Sequence, residues 1–325
     1  MDMLFIDVLE NGGIKEFGKP DKVIETLLSK IFFFETKVIK VYKHKEAFYG
    51  NLADFAFRKE FYSEDFFWNH SMALDIYLKL VGVKAKGAGF DVADLDTADD
   101  FYIEMAKIDS SKNLTNLWAA NKVSVSDMEN VTRFLVEKLR SLTKERKAKL
   151  KHLFNLGWYK LQNDDFEDLR QWLYMAEDKI LKKDVDAMID LLKDKASKEP
   201  YFINYNPTFL SVAIDNNCDN LLILNGKPSS IDTMTPKDNW KVSDEYFNVA
   251  RVAVDAYVLG NKELGDVVYR TYYQYRSEPS KTTTLINEIR SSLIQWPYRH
   301  ILGQHEMAEK YKTFTLQKIQ ELKAA

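Results

Sequence analysis

One cysteine, Cys218, stands among 325 residues, so no disulfide framework can form within the chain and a reducing compartment fits. Long apolar runs are also missing: none approaches the roughly 18 residues that would suggest a membrane span. The opening MDMLFIDVLENGG carries acidic residues and lacks the basic start and apolar core of a signal peptide. Neither sign of charge dominates, and a net charge of -3 gives no strong attraction for nucleic acid. His44, His70, His152, His300 and His305 lack metal spacing such as HExxH and read as structural. There is no internal repeat, no low-complexity segment and no proline-rich linker. The expectation is a soluble, cytoplasmic protein that binds neither nucleic acid nor membrane.

What is present is an ordinary globular balance, 46% hydrophobic and 29% charged, long enough for two packed domains. Strand signals fill residues 20 to 45. The apolar run Ile31 to Phe34 and the β-branched run Lys37 to Tyr42 are separated by a polar step, Glu35-Thr36, that suits a tight turn. Residues 53 to 80 read as helical, Leu78 to Val83 and Phe101 to Ile108 as strands, and Lys86 to Asp100 as a loop. From Ser124 the pattern turns helical. Ser126-Asp127-Met128-Glu129 supplies capping chemistry before apolar positions at Val131, Phe134, Leu135 and Leu139. Helical spacing continues through Leu150 to Leu161, Phe166 to Ile180 and Val185 to Leu192, and resumes from about Asp244. A β-like island at 209 to 233 interrupts it, with Leu221 to Leu224, a turn at Asn225-Gly226 and Ser229 to Ile231. The expected architecture is α+β, a β-rich part over residues 1–108 and a mainly helical part over 109–325 with a hairpin at 213–232.

Ala213 to Asp232, AIDNNCDNLLILNGKPSSID, is the most informative stretch. The hairpin could bring Asn220 and Asp232 together with Asp215 on the loop in front. An amide oxygen and a carboxylate are hard ligands suited to Mg²⁺, and a nearby carboxylate could orient an attacking hydroxyl. Asp and Asn are equally the residues of turns, so the residues by themselves leave both readings open. Elsewhere, Lys40 reads as an exposed strand lysine, Lys144 to Lys151 (KERKAKLK) as a solvated helix end, and Cys218 as a buried, inert thiol. Tyr269, Tyr272, Tyr273 and Tyr275 read as packing among helices.

At these residues the sequence resembles a bacterial family of predicted kinases related to the aminoglycoside phosphotransferases, which carries HGDLHxxN, a Gly-x-Pro hairpin turn and a later Asp. Asp215 and Asn220 keep the Asp-to-Asn spacing, Gly226 and Pro228 match the turn, and Asp232 falls at the later Asp. Upstream, Glu25 to Lys40 (ETLLSKIFFFETKVIK) and Arg58 to Val83 are similar to the family's first strands and helix. The resemblance covers residues 25 to 275 and implies a protein-kinase-like two-lobed fold. It implies ATP and Mg²⁺ as cofactors and a small hydroxylated molecule as acceptor. Lys40 would hold the nucleotide phosphates, with Asp65 or the adjacent Glu64 as its acidic partner. Glu104 and Met105 fall on the strand and hinge that meet adenine. Asn220 and Asp232 would bind Mg²⁺, and Asp215 would orient the acceptor hydroxyl. Asp244 fits an Asp that starts a helix, whereas the next acidic position of the family is Asn248 here. The departures are concentrated in one place: HGD becomes Ala213-Ile214-Asp215, which loses the His that braces the loop. Such erosion suits a specialised enzyme or a pseudokinase that works as a nucleotide-binding or protein-interaction module. No GxxxxGK[ST] phosphate loop is present, so the nucleotide-binding domain that some family members append is not expected.

Overall fold

The computed structural model describes the chain except residues 1–3, 15, 27, 48–49, 88, 157, 176–181, 236 and 260, and the side chains of 47, 158–163 and 238 also lie outside the description. The chain divides into two compact units, Met1–Ser110 with Ser230–Met234, and Ser111–Ser229 with Thr235–Ala325.

The first unit runs α1 (Phe5–Glu10), β1 (Lys22–Glu25), β2 (Ser29–Phe33), β3 (Val38–Tyr42), β4 (Glu46–Ala47), β5 (Gly50–Asn51), α2 (Phe55–Met72), β6 (Tyr77–Lys86), β7 (Gly89–Ala93) and β8 (Asp100–Met105). Six strands form one antiparallel sheet in the order β1-β2-β3-β8-β6-β7. The predicted turn between the first long strands is there: Phe34 N–H closes on the Lys37 carbonyl at 2.9 Å across Glu35-Thr36. Every residue of β3 is buried, because both faces of this central strand are covered. Ile39 and Val41 join Phe5, Leu9, Phe32, Val83 and Tyr102 in an apolar core, while Tyr42 meets Phe61 and Tyr62 of α2, each at 4.9 Å between ring centres.

Two expectations needed correction here. Helix α2 stops at Met72, eight residues short of the predicted end, because the apolar residues from Ile76 onward alternate into strand β6. The predicted loop from 86 to 100 holds a strand, β7, folded onto β6 around Gly87 at φ +60°. Its acidic, glycine-flanked sequence hid it; as an edge strand with Val92 exposed, it sends only Phe90 against the apolar core, where the ring meets Phe5.

The second unit runs α3 (Leu114–Ala119), α4 (Val125–Arg146), α5 (Lys151–Phe154), α6 (Trp158–Tyr174), α7 (Lys182–Lys198), α8 (Pro200–Ile203), β9 (Leu210–Val212), β10 (Leu221–Leu224), β11 (Lys227–Ser230), β12 (Val242–Asp244), α9 (Glu245–Val258), α10 (Lys262–Tyr272), α11 (Lys281–Ile301) and α12 (His305–Ala324). Helix α4 begins two residues earlier than its capping signal suggested: Ser124, not Ser126, is the N-cap, in a reciprocal box with Asp127. Its buried stripe takes Val131, Leu135 and Leu139 as expected but leaves Phe134 half-buried. The end of the predicted Phe166–Ile180 helix lies outside the described residues. The KERKAKLK stretch is mostly solvated. Helix α9 is the axis of this unit; it buries every residue except Tyr257. Its polar positions Asn248, Arg251 and Asp255, with the N-cap Asp244, recur at helical spacing and so form one stripe within the core. Buried polar groups must find hydrogen bonds, and Asn248, Arg251 and Asp255 each find a partner in the loop at 213–220.

Candidate functional site

In the first unit, the β3 lysine is the centre of a charged cluster. Lys40 does not behave as an exposed strand lysine: its side chain is 6% accessible. Its ammonium bonds Asp65 Oδ2 at 3.2 Å and Asp232 Oδ1 at 2.8 Å. Burial pushes the ammonium down, but the carboxylates of Asp232 and Asp65 prevail and hold it well above its ordinary value. Burial raises the Asp65 carboxyl against the pull of Lys40, whereas Lys40 holds the solvent-open Asp232 carboxyl below its ordinary range. Of the two acidic candidates on α2, Asp65 reaches the lysine; Glu64 is buried and accepts from Trp68 Nε1 at 3.2 Å.

Three residues that the sequence reading missed fix this cluster. Asn69, one turn beyond Asp65, donates to Asp65 Oδ1 at 2.7 Å and accepts from Thr233 N–H at 2.8 Å. Tyr77 Oη accepts from Asp232 N–H at 3.1 Å. The segment 230–234 is thereby pinned on both sides of Asp232, which sits at φ +50°, a left-handed conformation that Asp tolerates better than most residues. The i, i+4 spacing of Asp65 and Asn69 was the available signal for Asn69. Glu104 and Met105 close β8: the Glu104 carboxylate lies 3.3 Å from Lys37 and 3.6 Å from Lys79, and Met105 is buried.

In the second unit, Asp215 and Asn220 share one tight loop. Asn220 Nδ2 donates to the Asp215 carbonyl at 2.9 Å, and Asn220 N–H to the Asn217 carbonyl at 3.0 Å. Asp215 is half-buried, and its Oδ1 accepts from Arg251 at 2.5 Å and from Asn217 at 3.3 Å. Among the described residues its Oδ2 accepts no hydrogen bond. Although the bracing His is Ala213 here, the loop is firmly held from α9. Arg251 also donates to the Ile214 carbonyl (3.1 Å), Asn248 accepts from Ile214 N–H (3.4 Å), and Asp255 accepts from Cys218 N–H (2.8 Å). Cys218 is fully buried, and burial pushes its thiol well up. Asp244 caps α9 by accepting from Tyr246 N–H at 2.9 Å. The β10–β11 turn has Asn225 at φ +52° and Gly226 at φ +76°, the two left-handed positions that an Asn-Gly hairpin turn of type I′ supplies.

Among the described residues, no three His, Cys, Asp or Glu side chains are grouped to hold a metal ion by themselves. No family model matches the chain, and no curated protein matches it in sequence. Solved structures do match it, over nearly its full length. A choline kinase from Cryptosporidium parvum is 14% identical at a TM-score of 0.51, covering 93% of this chain and 89% of that one. A thermostable mutant of the aminoglycoside phosphotransferase APH(4)-Ia, in ternary complex with AMP-PNP and hygromycin B, is 11% identical at a TM-score of 0.54, covering 96% and 98%. A further mutant of that enzyme, with ADP and hygromycin B, is 12% identical at 0.53, again over 96% and 98%. At such identities the likeness speaks for architecture, and it agrees with the six-stranded antiparallel sheet and the helical second unit. The chain has the α+β, protein-kinase-like fold of the choline kinases and aminoglycoside phosphotransferases.

Proposed function

We propose that the protein is an ATP- and Mg²⁺-dependent phosphotransferase acting on a small hydroxylated molecule. The observation that carries the reading is the buried Lys40 ammonium, kept charged between Asp65 and Asp232. A buried cation that served packing alone would be costly, whereas one aimed at nucleotide phosphates has a use. Asp65, held by Asn69, orients the lysine. Asp232 and Asn220 are oxygen donors, the set that Mg²⁺ prefers alongside water and phosphate oxygens; when bound, the metal would neutralise charge on the transferring phosphoryl group. Asp215 orients the acceptor hydroxyl through Oδ2, while Arg251 on Oδ1 fixes the angle of the carboxylate. Glu104 and Met105 are the adenine-contacting positions in this reading. Catalysis of this type is mostly positioning and charge neutralisation, so few groups suffice.

The rival reading, a pseudokinase used as a nucleotide-binding or protein-interaction module, draws on the Ala213-Ile214-Asp215 departure. A thermal-shift titration separates the enzyme from a nucleotide-free pseudokinase, and turnover of Asp215→Asn separates it from a nucleotide-binding one. Mg²⁺-ATP should raise the melting temperature by mass action, and Asp232→Ala should remove the Mg²⁺-dependent part. No shift at millimolar ATP would count against the enzyme.

A further inference from the structure

Residues 278 to 325 lie beyond the stretch whose sequence resembles the phosphotransferase family, yet they reach back to the loop that carries Asp215. Helices α11 and α12 pack against each other, and each sends one fully buried polar side chain to the base of that loop. From α11, Arg299 is 1% accessible. Its guanidinium is aimed by Gln295 (3.2 Å) and Gln304 (3.0 Å) and ion-pairs with Asp219, whose other oxygen accepts from Thr115 at 2.6 Å. From α12, Tyr311 has no accessible surface, and its hydroxyl donates to Asp255 Oδ1 at 2.7 Å. The opposite oxygen of Asp255 takes the Cys218 N–H. One carboxylate therefore links α12 to the backbone three residues after Asp215, and one guanidinium links α11 to the residue before Asn220. Burial raises the Asp255 carboxyl, and the Tyr311 and Cys218 hydrogen bonds oppose that rise.

We propose that Arg299 and Tyr311 are positioning residues: the C-terminal helix pair fixes the 213–220 loop from below and does the work of the missing His brace. The proposal rests on the phosphotransferase reading for the purpose of the loop, but not for its being held. Neither residue touches the reacting atoms. Their effect passes through Asp219 and Asp255: Tyr311 acts on the backbone three residues after Asp215, and Arg299 acts beside both Asp215 and Asn220.

The test uses the full chain, with Cys218 as reporter. Its thiol is the only one in the chain and is buried in the loop, so a disulfide reagent such as dithiobis(nitrobenzoate) reacts with it when the loop opens. Tyr311→Phe and Arg299→Lys are compared with Thr315→Val, which removes the 2.7 Å Thr315–Ser292 hydrogen bond between the same helices away from the loop. Below the melting transition, labelling should accelerate about tenfold or more in the first two variants, as loss of a hydrogen bond to a buried charge implies, and stay near wild type in the third. In parallel, kcat for hydrolysis of Mg²⁺-ATP without acceptor should fall in both variants, and in Tyr311→Phe, which acts away from Asn220, KM for ATP should hold. Equal labelling in all three variants, or no acceleration in any, overturns the proposal, because the helices then add only general stability. Accelerated labelling with unchanged kcat overturns it as well. A wild type that hydrolyses no ATP counts instead against the phosphotransferase reading, and labelling then decides whether the helix pair holds the loop. Should Arg299→Lys fail to fold, Tyr311→Phe, which removes a single oxygen, carries the comparison.

Discussion

The Lys40–Asp65 pair invites a double-mutant cycle, because its two members are almost without solvent contact, at 6% and 2% accessibility. Lys40→Met strands the Asp65 carboxylate in the interior, and Asp65→Leu leaves the ammonium with Asp232 alone. Breaking a buried pair on one side costs about 3–5 kcal/mol, with Lys40→Met expected toward the upper end and Asp65→Leu, whose ammonium keeps Asp232, toward the lower. The double variant strands no buried charge. Asp232 loses its lysine but stays hydrated, since its side chain is 65% accessible, and exposed pairs contribute little. The remaining penalties are the buried Tyr42 hydroxyl, which loses the Asp65 carboxylate, and Asn69 Nδ2, which loses it too but keeps the Asp65 carbonyl at 2.9 Å. An amide that retains one acceptor should cost no more than about 2 kcal/mol. Urea unfolding at neutral pH, with the slope checked for constancy, measures all four proteins. The double variant should be more stable than either single one and should show no Mg²⁺-ATP shift. Losses that simply add would refute the reasoning, since two groups that do not interact cannot rescue one another.

The remaining predictions concern other parts of the molecule. Asp215→Asn should bind Mg²⁺-ATP nearly as wild type does yet lose about 10²–10⁴ in turnover, read as ATP consumption with a panel of small alcohols and sugars; an unaffected rate would remove Asp215 from the mechanism. Gly226→Ala meets no atom within 4 Å, so its cost should be the left-handed backbone penalty of about 1–2 kcal/mol, seen as a lower melting temperature. The Asp232 carboxyl is held below its ordinary value, so the unfolded chain takes up that proton first as pH falls. Its stabilisation is thus present above about pH 4 and lost below it; the stability gap between wild type and Asp232→Asn should narrow between pH 5 and pH 3.

Much of the β-structure was legible because its strands are apolar or β-branched runs and its turns carry their own chemistry, as at Glu35-Thr36 in the six-stranded sheet and Asn225-Gly226 in the separate β10–β11 hairpin. The edge strand β7 was not, since a strand with one solvated face and acidic residues sends no apolar signal. Lys40 shows the limit of a rule based on residue type. Lysines on strands are usually exposed, and what buries this one is a carboxylate on α2 together with another 192 residues away. Alternation cannot contain that information. The firmness of the 213–220 loop was equally invisible: the missing His at Ala213 suggested a loose loop, whereas the brace comes from polar positions of α9 and from two helices near the end of the chain.

The return of residues 230–234 to the first unit has a consequence for how the protein is made. A nascent chain that has delivered every strand of the six-stranded sheet still lacks Asp232 and Thr233, the partners of Lys40, Tyr77 and Asn69. Roughly 120 further residues must be translated before they emerge, about 6–24 s at about 5–20 residues per second. During that interval the lysine has one carboxylate in place of two, and the acceptor oxygens of Tyr77 and Asn69 wait for donors not yet synthesised. A fragment cut after Ser110 would be arrested in that state permanently. The sheet should then be able to form but be less stable than it is in the whole chain, and it becomes fully native only when a later part of the polypeptide comes back to it.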